Sequence, residues 1–160
     1  AIFFGWALSY FKHKKLLEEF RRILKPGGIV GVITNIQGTL PNMDEVFFRV
    51  MEKHPKEIQK VMESRFNLPK GAKGLTRWMK DGGFKPLKIK QGEEVVSYSR
   101  AGELYSWLRE TGALAGTGAI FKKSSQLEQE IVLNLNKELQ CENRHGTVHK
   151  FAYGIFKKGD

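Results

Sequence analysis

Few side chains in this sequence are spaced for chemistry. Cys141, His145 and His149 recur every four residues, and on an unbroken helix they would line one face and could ligate zinc. Gly146 interrupts that spacing, and Asn143 with Gly146-Thr147 reads as a loop entering a final strand. Three ligands without a fourth, on a broken helix, do not make a metal site, and none is assigned. The glycines between Gly112 and Gly118 (GALAGTG) are the one rival for a phosphate-cradling turn. They follow a helical pattern rather than a strand, so they read as a loop. His13 and His54 stand isolated among Lys and Pro and read as surface residues. No Ser–His–Asp set or paired-carboxylate motif suggests itself. Asn35, closing an apolar run, either binds substrate or caps a turn.

The elements that would position a site are clearest at the start of the chain. Ala1 to Leu8 is apolar apart from Gly5, which predicts a strand buried on both faces. From Lys12 to Lys25, Leu16, Leu17, Phe20, Ile23 and Leu24 recur at three- and four-residue spacing with charge on the other side, an amphipathic helix. Pro26 cannot continue it, and Gly27-Gly28 supply the positive-φ positions that its end needs. Ile29 to Thr34, rich in β-branched residues, predicts a second buried strand. Two buried strands joined by a helix imply parallel pairing and a right-handed crossover.

The sequence at this unit, ALSYF at the end of the first strand and LKPGG between helix and second strand, resembles the carboxyl half of class I S-adenosylmethionine-dependent methyltransferases. In that family the matching unit is the fourth strand, its helix and the fifth strand. The resemblance implies an α/β fold, the carboxyl half of a Rossmann-like sheet. Its strands would form the block 4-5-7-6, the last one antiparallel, with inserted helices. It also implies methyl transfer from S-adenosylmethionine. On this alignment Gly5, Trp6 and Leu8 lie by the cofactor, and Leu8 and Tyr10 face the transfer site. Asn35, Phe47 and Tyr105 are implied as acceptor contacts. Many relatives place a small polar residue where Phe4 or Gly5 stands, which leaves fewer hydrogen bonds for the amino-acid end of the cofactor.

The rest of the chain follows the same pattern. Gly38 to Asn42 reads as a loop, with Asn42 capping a helix from about Met43 to Lys53 whose inner face carries Val46, Phe47, Val50 and Met51. A second helix, roughly Lys56 to Phe66, would carry Ile58, Val61, Met62 and Phe66. The family inserts helices here, so residues 36–70 are expected as a helical insertion or lid within one domain of residues 1–160. LTRWMKDGGFKPLKIKQ resembles the family's next helix, its Gly-Phe turn and the sixth strand, with Phe84 as a packing anchor. Pro86 to Tyr98 alternates, with Gly92 read as an interruption. Ser99 is expected to cap a helix carrying Leu104, Trp107 and Leu108. A further helix, Ser124 to Leu139, has Leu127, Ile131, Leu135 and Leu139 on one stripe. VHKFAYGIFK, Val148 to Lys157, resembles the seventh strand.

A Gly-rich strand–turn–helix of the kind that admits a nucleotide does not occur in these 160 residues. The chain is therefore expected to be an incomplete part of such an enzyme, inactive alone and binding S-adenosylmethionine poorly. Strand 1–8 lacks Pro and charge, the usual protection of an edge. It is expected to pair with a missing amino-terminal half or with a second copy about a two-fold axis. A non-catalytic, truncated module that dimerises this way is the second reading.

Net charge is +10, with 27 Lys and Arg against 17 Asp and Glu. The basic residues are spread along the chain, which favours a solvated surface over a nucleic-acid footprint. An RNA-directed methyltransferase stays open as a third reading, and a small-molecule acceptor is preferred. A single cysteine excludes an intrachain disulfide and suits a reducing compartment. No apolar run reaches membrane-spanning length, and no signal peptide is evident, so a cytoplasmic location is the default.

Overall fold

A computed structural model describes residues 1–58, 67–98, 100–111, 125–141 and 146–159. The strands are β1 (Ile2–Gly5), β2 (Ile29–Asn35), β3 (Phe84–Ser97) and β4 (Gly146–Lys158). The helices are α1 (His13–Ile23), α2 (Pro41–Lys53), α3 (Gly71–Asp81), α4 (Ala101–Glu110) and α5 (Ser125–Cys141). The four strands form one sheet in the order β1-β2-β4-β3. β1 runs parallel to β2, with Ile2 opposite Val30 and Gly5 opposite Ile33. β4 runs antiparallel to β2, from Ile29 opposite Lys157 to Asn35 opposite Phe151.

The turn between α1 and β2 works as its sequence requires. Gly27 has φ +71°, and the Gly28 N–H donates to the Lys25 carbonyl at 2.9 Å. A side chain at Gly28 would lie 2.9 Å from both the Leu24 side chain and the Lys25 carbonyl, so there is no room for one.

The chain forms two compact units. The first is Ala1–Thr39, Glu63–Glu93 and Lys150–Asp160; the second is Leu40–Met62 and Glu94–His149. In the α/β unit, Leu17 and Phe20 of α1 and Leu75 and Met79 of α3 share a core with Val30, Val32, Ala152 and Phe156 of the sheet. In the helical unit, α2, α4 and α5 bury Met43, Val46, Phe47, Leu104, Leu108, Ile131 and Leu135 together. Each cluster follows the three- and four-residue stripes of its helices. Split by unit, the α/β unit holds 17 Lys and Arg against 6 Asp and Glu, net +11; the helical unit holds 10 against 11, net −1. The basic charge is thus segregated in space, where its even spread along the chain suggested a general surface.

Several local expectations are corrected. β1 is half its expected length, because Trp6 adopts a left-handed φ of 58° and the chain then enters a 3-10 turn at Leu8–Tyr10. Nor is β1 buried on both faces: Phe3 is 78% exposed. Ile23 is 52% exposed, because α1 ends there and Leu24, in extended backbone, takes the buried place. Asn42 does not cap α2. The helix starts at Pro41, which needs no N–H there, and Leu40 at φ 50° is the capping position. Gly92 does not interrupt β3, which runs unbroken for 14 residues. A Cβ there would meet the Phe151 ring at 3.0 Å, so a larger residue would push the ring aside. α4 is capped by Arg100 without a side-chain hydrogen bond, and Ser99 lies outside the described residues. The expected helix 56–66 is described only as a 3-10 turn at Pro55–Glu57; residues 59–66 lie outside the described part.

Candidate functional site

In an open α/β sheet, ligands lie outside the carboxyl ends of the parallel strands. Here those ends are Gly5 of β1 and Asn35 of β2. Gly5 is half-buried, and a Cβ on it would meet the Phe3 ring at 3.1 Å and the Ile33 side chain at 3.7 Å. Trp6 then turns the chain, its N–H donating to the Ile33 carbonyl at 2.8 Å. That bond anchors the left-handed residue to β2 and leaves its indole 44% exposed, edge-on to Phe151 at 5.9 Å. Leu8 is 1% exposed and plugs the α/β core, whereas Tyr10 is 47% exposed. The Asn67 side-chain amide donates to the carbonyls of Ser9 (3.3 Å) and Phe11, tying the outgoing loop to a distant stretch of chain. Asn35 sits opposite Phe151 in the β2–β4 register, and so lies across the same ring that meets Trp6.

Beside this edge is a cleft of about 510 Å³ lined by Ile36, Gln37, Lys70, Gln91, Glu93 and Lys150, among others. Its walls are fixed by bonds of their own. Gln37 donates to the Leu68 carbonyl at 3.0 Å, and Gln91 accepts the Ala72 N–H at 2.9 Å, satisfying the start of α3. Lys150 Nζ lies 4.0 Å from Glu93.

Phe47 and Tyr105 belong to the helical unit. Phe47 is a fully buried core residue, and Tyr105 is half-buried against the same cluster. Burial pushes the Tyr105 phenol up, the Glu128 charge adds to this, and the Arg109 guanidinium, 6.0 Å from the ring centre, opposes it. The residues expected at the site therefore fall into two sets. Gly5, Trp6, Leu8, Tyr10 and Asn35 are brought to one sheet edge, and Phe47 and Tyr105 share a helical core.

Two histidines read as surface residues have specific partners. His13 stacks flat on Trp78, with centroids 4.1 Å apart. His54 Nε2 lies 2.6 Å from Glu130 Oε2, and Lys53 Nζ lies 3.3 Å from the other oxygen. The His54 hydrogen bond, helped by Lys53, holds the Glu130 carboxyl below its ordinary range. Spacing gave no signal for either pairing, since the partners lie far apart in sequence. His149, a residue of β4, has its imidazole pushed down by burial, with the Glu94 charge acting the other way. His145 lies outside the described residues, and no group of three His, Cys, Asp or Glu among the described residues could hold a metal.

Comparison with solved structures gives the architecture its place. Over 99% of its length the chain superposes on a Bacillus halodurans protein described as a methyltransferase, with TM-score 0.56 and 13% identity, covering 70% of that protein. It likewise superposes on the YcgJ protein of Bacillus subtilis, with TM-score 0.54 and 14% identity, covering 64% of it. The fold is that of the class I methyltransferases. No protein-family model matches the chain. Among curated proteins, demethylmenaquinone methyltransferase of Staphylococcus aureus is 29% identical over 85 residues, 46% of this chain and 35% of its own length. The matched part thus spans about a third of that methyltransferase.

A methyltransferase's cofactor would need donors, acceptors and an acidic residue for its ribose. At this edge the chain offers Trp6, Tyr10 and Asn35. No Asp or Glu occurs in residues 1–17 or 24–43, which hold the carboxyl ends of both strands. These residues do not make up that set. No helix among the described residues is long and apolar enough to cross a membrane.

Proposed function

We propose that this chain is the acceptor-side part of an S-adenosylmethionine-dependent methyltransferase that modifies a small molecule. The observation that carries the reading is the gathering of Gly5, Trp6, Tyr10 and Asn35 at the carboxyl ends of two parallel strands in a methyltransferase fold. Bound S-adenosylmethionine supplies a methyl group already activated on a sulfonium, so the protein's contribution is largely position. Trp6, fixed to β2 through its N–H, presents an exposed aromatic wall. Tyr10 and Asn35 bring polar side chains to the same end of the sheet. Demethylmenaquinone, named in the curated relative, is itself a small molecule and supports that class of acceptor.

The remaining wall, and the acidic residue for the ribose, would come from elements beyond these residues that pair along the edge of β1. A missing amino-terminal half or a second copy are the two sources. Isothermal titration with S-adenosylmethionine and with its demethylated product tests this. No binding at micromolar concentration is expected from these residues alone, and tight binding by them would overturn the incomplete-site reading. An RNA acceptor is the second reading, favoured by the net +11 of the α/β unit. It requires retention on RNA that falls steeply with salt.

A further inference from the structure

The cleft near the carboxyl ends of the strands is distinct from the edge that gathers Trp6 and Asn35. Ile89 of β3 and Ala152 of β4 pack into the core beneath α1 and α3. By alternation Gln91 and Glu93 follow Ile89 on that face, and Lys150 shares the face of Ala152. The bond from the Ala72 N–H to Gln91 Oε1 at 2.9 Å, and the 4.0 Å between Lys150 and Glu93, agree with that parity. Phe151, which faces Asn35 and meets Trp6, points the other way. The cleft also lies toward β3, the margin of the sheet opposite β1. Its lining belongs wholly to the α/β unit.

Donors with unused capacity line this space. Lys70, at the entry to α3, is exposed, and its ammonium has no partner among the described residues. Lys150 has only Glu93 among them, at the limit of an ion pair. Gln91 is oriented by its neighbour: an N–H can only donate, so Ala72 holds the amide oxygen and both Nε2 hydrogens are left over. Since Gln91 already takes that helix N–H, the start of α3 is not itself the binding group. Gln37 is set the opposite way, its nitrogen committed to the Leu68 carbonyl. A Cβ on Gly71, at φ +64°, would lie 2.8 Å from Gln91 Oε1, so this side of the cleft stays open. Ile36, 6% exposed, supplies an apolar wall. The volume of about 510 Å³ suits a small molecule. Two lysines against one carboxylate give the lining a net charge of +1. One carboxylate balances that set, whereas a doubly charged phosphate would leave excess negative charge beside Glu93.

We infer that this cleft is a binding site for a small carboxylic acid. Lys70, Lys150 and the Gln91 amide N–H groups hold it as its carboxylate, with its apolar part against Ile36. The inference is separate from methyl transfer, since neither S-adenosylmethionine nor a methyl acceptor enters its test.

The test uses the chain as it stands, with benzoate as the carboxylate probe, phenyl phosphate as its doubly charged counterpart and benzyl alcohol as the neutral one. Magnetic resonance follows the Gly92 backbone amide and, in the parent, the Gln91 side-chain amide, both of which belong to the lining. Benzoate is expected to shift these signals saturably and to bind about tenfold more tightly than either counterpart. Gln91→Glu keeps an oxygen for the Ala72 N–H but turns the donor into a charge, and should weaken benzoate about tenfold. Lys70→Gln should weaken it about threefold to tenfold, and Glu93→Gln, which removes the one carboxylate, should tighten it about threefold. Lys73→Gln, an exposed lysine of α3 outside the lining, should change nothing. Circular dichroism checks that the variants keep their fold. No saturable shift at about 10 mM benzoate overturns the inference. So do equal losses for Lys70→Gln and Lys73→Gln, which would assign binding to diffuse charge. So does phenyl phosphate or benzyl alcohol binding to the parent as tightly as benzoate.

Discussion

The two compact units solve the same problem with opposite surfaces. The helical unit buries its apolar stripes among three helices and ends near neutrality, at net −1. The α/β unit buries one face of its sheet, leaves the other face apolar and open, and carries net +11. The difference shows that the basic charge of the chain belongs to one of its two units.

The strongest way to break that comparison is to damage one core at a time. Phe156→Ala should cost about 3–5 kcal/mol, and Leu104→Ala about 2–5 kcal/mol, because both side chains are fully buried. Amide exchange should lose most protection in β2 and β4 for the first variant, and in α2, α4 and α5 for the second. If both variants expose the same amides equally, the two cores are one cooperative structure and the comparison fails.

A finer test uses the one backbone feature the units share. Trp6 and Leu40 both hold left-handed φ, at 58° and 50°. Such strain costs roughly 1–3 kcal/mol, which glycine relieves. Leu40 is 1% exposed, so Leu40→Gly forfeits a buried leucine and should destabilise by about 2–4 kcal/mol net. Trp6 is 44% exposed and edge-on to Phe151, so its lost contacts and the relieved strain are of similar size, and Trp6→Gly should stay within about 1 kcal/mol of the parent. Denaturant titration of both variants decides it. A large loss for Trp6→Gly would mean that the indole contributes mainly through packing.

The smallest effect is electrostatic and belongs to the helical unit. Glu130 has its carboxyl held below the ordinary 4.5 by His54, so the folded state keeps the charge where the unfolded chain takes a proton. Its contribution is complete above that value and is lost as pH falls through the lowered one. Melting temperatures of the parent and Glu130→Gln should therefore differ at roughly pH 6 and converge in acid, as the Glu130 carboxyl takes up its proton. A gap that persists in acid would assign the difference to packing.

What could be read beforehand was what is local. The β1–α1–β2 unit followed from Leu17, Phe20 and Leu24 on one stripe and from Pro26-Gly27-Gly28 as a stop, because those rules involve neighbours within a few residues. The early end of β1 could not be read, since a tryptophan at positive φ has no composition signal and depends on the Ile33 carbonyl far along the chain. The pairings of His13 with Trp78 and His54 with Glu130 were hidden for the same reason. The distribution of charge between the units was not legible either. Lysines scattered in sequence converge in space because the α/β unit draws on three separate stretches. At the candidate site, the position of Asn35 at the end of β2 was legible, whereas the end of β1 at Gly5 and the burial of Leu8 and Phe47 in two different cores were not.

The weaving of the chain has a practical outcome. It passes from one unit to the other after Thr39, Met62, Glu93 and His149, the last two passages falling inside β3 and β4. Neither unit can be cut out as a continuous peptide, and a nascent chain cannot finish the first before making its final eleven residues. Truncating the last strand by a dozen residues should therefore ruin the sheet that begins at the second residue.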